Sequence, residues 1–202
     1  MSTPYQVVRD FEADVAAYCG APACVAVSSC TAAIFLCLQW LQPRQVVLPC
    51  FTYVGVAMAA KQSGAKIIWT REDWQGQYDI GYSPTSGTRL IDAARRFSSG
   101  MYEKNTLTCV SFQATKILGI EHGGAILLDN PGMEQWLRKA RFDGRTEGVP
   151  PKEDNFQQIG WHLMMAPSMA AVGRLKLASL PAVNYDLPRS DYADLSAMEI
   201  FR

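Results

Sequence analysis

Lys116 sits between two apolar runs, TLTCVSF and GGAILL, in a turn-forming stretch that also carries Ser111, Thr115 and the Gly123-Gly124 pair. A lysine held there by rigid strands can lose solvation, lower its pKa and act as a nucleophilic amine. The same residue in a loop is also compatible with a solvated surface charge. Three further groups fall where strands should end. Ser29-Cys30-Thr31 opens an apolar helix, where unpaired N–H groups, hydroxyls and the helix dipole favour an anion such as phosphate, or where the residues are a plain N-cap. Asp92 directly follows Leu90-Ile91 and is placed either to cap a following helix or to pair with a protonated ring nitrogen of a cofactor. Tyr53, at the start of a helix, suits core packing or stacking on a flat ring.

The elements that must position these groups follow from periodicity. Val7, Phe11, Val15 and Tyr18 recur at helical spacing over residues 5–18, ahead of the Gly20-Ala21-Pro22 break. Residues 24–27, 46–48 and 66–70 suit strands, with helices over 32–41 and 52–63 between them, which gives a β-α-β-α-β order. The polar stretch 72–88, with Gly76, Gly81, Pro84 and Gly87, reads as an irregular connection. A short strand then ends at Asp92, two more flank Lys116, and helices are predicted over 133–142 and 167–180. Residues 184–202 carry aromatic and acidic residues at loose helical spacing and suit an appendage packed on the domain or on a partner subunit. The fold class is α/β: one domain over 1–202, a mostly parallel sheet with flanking helices.

Composition narrows the function. With 202 residues, 49% of them hydrophobic, the chain can bury a sizeable core. Nineteen basic and nineteen acidic residues cancel, so no basic stripe supports nucleic-acid binding. The six cysteines form no CxxC pair, several lie in apolar runs, and they fit small core residues in a reducing compartment. With only His122 and His162 present, a zinc or iron site is not expected. No leader-like segment and no run of about 18 apolar residues appears, so the expected location is the cytoplasm, with no membrane contact. His122 and Glu121 fit an exposed loop, Arg95 and Arg96 a solvated helix face, and Trp161 with Met164-Met165 a core or interface.

Five ordered segments, VSSCTAAIFLCL, LPCFTYVGVAMAAKQSGAKIIW, LIDAARRF, VSFQATKILGIEHGGAILL and IGWHLMMAPSMAAVGRLKL, resemble the successive motifs of the DegT/StrS aminotransferases, pyridoxal phosphate (PLP) enzymes of fold type I. The resemblance implies a reduced large domain of that fold, a shortened form without the C-terminal small domain. It implies that Lys116 forms the internal aldimine, a Schiff base, and that Asp92 keeps the pyridine nitrogen protonated. Cys30, Thr31 and Ser111 match phosphate-binding positions, Tyr53 the aromatic on the ring, and His162 an asparagine that reaches the neighbouring subunit's cofactor. A homodimer with shared sites is thereby implied. So is amino transfer from an amino acid to a keto acceptor, sugar-like or nucleotide-linked. PLP-dependent decarboxylation of a bulkier amino-acid conjugate and a non-catalytic interaction role are the alternatives. The chain departs from the pattern at Cys30 (usually glycine), Arg95 (usually glutamine) and His162, and in a shortened segment 73–89.

Overall fold

The computed structural model describes residues 5–83 and 87–201, so Pro84 lies outside the described residues. Three layers form. A five-stranded sheet runs in the order β1 (Ala23–Val27), β7 (Gly124–Leu128), β6 (Thr106–Ser111), β5 (Thr88–Ala93), β4 (Tyr78–Ser83), and β2 (Gln45–Pro49) pairs β3 (Lys66–Thr70) in a separate parallel ribbon. Strands β1, β6 and β7 are buried on both faces, which explains their near-continuous apolar runs. Side-chain alternation sorts the core. Val25, Leu90, Leu107, Cys109 and Ile126 face α2 (Cys30–Leu41), α3 (Val54–Gln62) and α4 (Pro131–Ala140). Cys24, Ala26, Ile91, Val110 and Leu127 face α1 (Gln6–Cys19) and α5 (Pro167–Ala178).

The α/β class and the β-α-β-α-β start hold, and strand direction differs from expectation. Within the main sheet only β5 and β6 are parallel, while β1–β7, β6–β7 and β4–β5 are antiparallel. A parallel pair needs a long crossover, usually helical. The segment from Phe112 to Gly123 contains no helix, so β7 turns back beside β6, and β4 and β5 lie only a few residues apart in sequence. The stretch read as irregular therefore contains a strand. In β4 the buried Ile80 packs in the core, and the pairing with β5 shifts register between Asp79 and Gly81.

Local signals fix the element ends. Ser29 caps α2 by accepting from the Ala32 N–H at 3.1 Å, a contact worth about 1 kcal/mol, and Gly20 closes α1 in the left-handed region at φ 73°. Helix α2 buries Ile34, Leu36 and Leu38, each contributing about 1.5–3 kcal/mol. Gly124 lets β7 approach the start of α2, because a Cβ there would stand 2.4 Å from the Cys30 nitrogen. All six cysteines are free and buried, in keeping with their reading as core residues. Trp161 packs edge-on against Phe35 at 5.2 Å and Met165 is buried, so both serve the core.

Residues 184–201 lie on the domain. Leu195 and Phe201, in two short 3-10 turns, are buried, and Phe201 packs edge-on against Trp69 at 6.0 Å. The Asn184 side chain donates to the Tyr18 hydroxyl and the Phe97 carbonyl, and the Leu195 N–H donates to the Cys50 carbonyl. Among the described residues no helix is long and apolar enough to cross a membrane, and no cluster of His, Cys, Asp and Glu is arranged to hold a metal ion.

Candidate active site

The C-terminal ends of β5 and β6 meet the N-terminus of α2, the position where open α/β sheets hold ligands. On β5, Asp92 projects toward α2 from the same face as Leu90, and is 3% exposed. Its Oδ2 accepts from the Tyr78 hydroxyl at 2.9 Å and its Oδ1 from the Ala94 N–H at 2.9 Å. Tyr78 is itself held 2.6 Å from Thr52 Oγ1. Burial pushes the Asp92 carboxyl above its ordinary range, against the opposing pull of the Ala94 and Tyr78 hydrogen bonds and of Lys116. Burial and the neighbouring Asp92 also push the Tyr78 phenol up, so Tyr78 remains a donor.

Lys116 hangs from the segment joining β6 to β7. Backbone bonds pin that segment: Phe112 N–H to Gly123 O at 2.9 Å, Ala114 N–H to Glu121 O at 3.1 Å, and Lys116 N–H to Gln113 O at 2.8 Å. The lysine is half-buried, and desolvation, followed by the nearby Arg95 guanidinium, lowers its pKa, while Asp92 and Cys30 work against the shift. A larger fraction of free amine at neutral pH follows.

One cavity of about 480 Å³ gathers Cys30, Thr31, Tyr53, Asp92, Ser111 and Lys116. Thr31 and Cys30 lie in the first turn of α2, whose N–H groups have no intrahelical acceptor. The Cys30 side chain turns down into the floor, its sulfur 3.6 Å from the Cys109 carbonyl and 3.9 Å from Asp92 Oδ1, so replacing a glycine does not fill the cradle. Burial and Asp92 raise its thiol well above the ordinary value. Tyr53 is 53% exposed and stands at the cavity wall facing Tyr192, ring centroids 6.4 Å apart. His162 is not among the cavity residues. Its side chain is 77% exposed and hydrogen-bonded through Nδ1 to Asp143 at 2.8 Å.

Several wall residues escaped the sequence reading. His122, read as a plain loop residue, lines the cavity, as do Trp74, Ser190 and Tyr192. Tyr78, behind Asp92, lay in the stretch read as irregular, although Tyr78, Ile80 and Tyr82 keep the period of two that marks a strand. Arg95 is no solvated helix face: no helix forms there, and its half-buried guanidinium donates to the Ser190 hydroxyl. Arg96 pairs with Asp186.

The sequence profile of the DegT/DnrJ/EryC1/StrS aminotransferase family matches residues 1–73 and 96–188. The chain belongs to this family. The unmatched interval holds β4 and β5, so Asp92 rests on its position under the cavity rather than on the profile. No curated protein matches the chain. Solved structures share the fold. Crystalline 3-amino-5-hydroxybenzoic acid (AHBA) synthase is 20% identical, with a TM-score of 0.69 over 86% of this chain and 56% of that one. The sugar aminotransferase CalS13 from Micromonospora echinospora is 17% identical, with a TM-score of 0.67 over 87% of this chain and 61% of that one. DesV from S. venezuelae, solved in complex with a ketimine intermediate, is 22% identical, with a TM-score of 0.69 over 89% of this chain and 57% of that one. The chain thus spans about three-fifths of the length of these solved structures.

Proposed function

We propose that the chain is the PLP-binding domain of an aminotransferase, moving an amino group from an amino acid to a keto acceptor of sugar-like or nucleotide-linked type. The observation that carries this reading is the convergence of Lys116, Asp92 and the first turn of α2 on one cavity. The donor set fits the cofactor. Asp92 is a buried carboxylate suited to a cationic ring nitrogen, Tyr53 offers an aromatic face, and Thr31, Ser111 and the α2 N–H groups form a cradle for a phosphate. When bound, PLP supplies an electrophilic carbonyl and an electron-withdrawing ring.

The chain's own residues do the rest. Lys116, with its ammonium form disfavoured by burial, would be the nucleophilic amine and the base that takes a proton from the substrate α-carbon and delivers it to the carbon that carried the cofactor's carbonyl. Asp92, fixed by Tyr78 and the Ala94 N–H, would pair with the ring nitrogen and hold it in its cationic form. His162, exposed and outside this chain's cavity, belongs in this reading to the site of a second copy, which makes the working unit a homodimer.

The test is an absorbance spectrum of the purified protein with PLP, borohydride reduction and peptide mapping. An adduct fixed on Lys116, absent from a folded Lys116→Ala variant, supports the reading; an adduct elsewhere, or none, removes it. Amino transfer is then read from conversion of a keto acceptor with glutamate as donor, whereas carbon dioxide released without an acceptor would reassign the site to decarboxylation.

A further inference from the structure

Arg95 and Arg96 are neighbours in sequence with different fates. Arg96 grips Asp186 side-on, its Nε 2.9 Å from Oδ1 and 3.1 Å from Oδ2, with Nη2 also on Oδ2, so both donors of that edge meet a carboxylate. Arg95 offers the same Nε/Nη2 edge to a poorer partner. Its Nη2 donates to the Ser190 hydroxyl, while its Nε is buried with no acceptor among the described residues. A hydroxyl has one oxygen and satisfies one of two parallel donors; a carboxylate has two, spaced to match the fork.

The location gives this unfilled edge a purpose. Ser190 lines the same cavity as Lys116 and Asp92, and the Arg95 guanidinium is close enough to Lys116 to disfavour its charge. The Arg95 guanidinium is therefore a standing cation beside the cavity, and its charge favours an incoming anion. The planar two-donor edge selects a carboxylate.

We propose that Arg95 binds the carboxylate of an amino-acid or keto-acid substrate through Nε and Nη2, displacing Ser190 as it does so. The proposal deepens the function given above and rests on it for the identity of the cavity. Substrate entry would then loosen one attachment of the C-terminal segment, leaving its anchors at Asn184 and Leu195 in place.

The experiment titrates succinate, a plain dicarboxylate, into the PLP-loaded protein in phosphate buffer, so that the anion cradle at α2 is already served. Calorimetry gives the affinity, and succinamide is the uncharged control. Arg95→Gln is expected to weaken succinate by about tenfold or more, with Arg95→Lys falling between. Ser190→Ala is expected to tighten binding, because the guanidinium loses its internal competitor. Unchanged affinity in a folded Arg95→Gln protein overturns the proposal, as does wild-type protein that binds succinamide as well as succinate or binds neither. Should Arg95→Gln fail to fold, Ser190→Ala decides: tighter binding supports the assignment and equal or weaker binding overturns it. Borohydride mapping of the same preparations keeps the two readings apart. An adduct on Lys116 with unchanged succinate affinity removes the carboxylate assignment alone; a missing adduct removes the cofactor reading, and the titration is then read on the empty cavity.

Discussion

Asp92 shows how a single residue can be costly to the fold and useful to the site. Burial raises its folded-state pKa above the ordinary 3.8, so folding favours the neutral acid. The stability this contributes is full below 3.8 and is lost as pH rises through the elevated folded value. Asp92→Asn cannot ionise and keeps nearly the same shape. The cofactor-free variant should melt above wild type once pH exceeds that elevated value, with the difference shrinking to nothing as pH falls below 3.8, and its turnover with PLP should collapse. Melting curves across pH check the first part; a difference from wild type that stays constant across pH would show that the buried charge is not the cause. Asp92, Ser111 and Thr31 were legible in the sequence because they fall at the end of a strand or the start of a helix, and Lys116 because it lies in the turn between two apolar runs; such boundaries survive in residue types. Arg95 was not legible. Whether a charged side chain faces water depends on what covers it, and the group that does so, Ser190, is 95 positions away.

Elements bring those residues together only if their packing is preserved, and the crossing of α1 and α5 is a close contact of this kind. Gly173 of α5 faces Phe11 of α1: a Cβ at Gly173 would stand 2.6 Å from the ring. Gly173→Val should therefore destabilise the protein by about 1–3 kcal/mol, read from the urea midpoint. Phe11→Leu in the same chain should recover part of that loss, because the two changes share one contact. Additive losses would show that the helices do not meet through this pair. The periodicity of α1 was plain in the sequence and a helix was predicted over 167–180, while their partnership was not legible, since a period reports which face is buried and not against what. The same limit explains strand direction. The apolar runs at β6 and β7 announced two buried strands, and only the lack of a helix between them carried the information that they run antiparallel.

At the scale of the whole molecule, the C-terminal segment is the part that sequence constrained least. Its aromatic and acidic residues gave only a loose helical spacing, and it forms just two short 3-10 turns, being held instead by distant partners. Arg96 holds Asp186, Asp73 holds Arg189 at 2.7 Å, and Arg71 holds Asp194 at 3.2 Å. The exposed pairs among these contribute little, typically below about 1 kcal/mol each. The apolar anchors dominate, with Leu195 and Phe201 each worth about 1.5–3 kcal/mol when buried. Removing residues 183–202 should accordingly lower stability by about 2 kcal/mol or more, after the ordering entropy of the segment is returned. It should also strip Ser190 and Tyr192 from the cavity wall, so that small anions enter and leave faster. Stopped-flow binding of succinate to the shortened protein distinguishes wall from ornament: faster exchange in both directions identifies the segment as part of the cavity, and unchanged rates with reduced stability would confine it to holding the domain together.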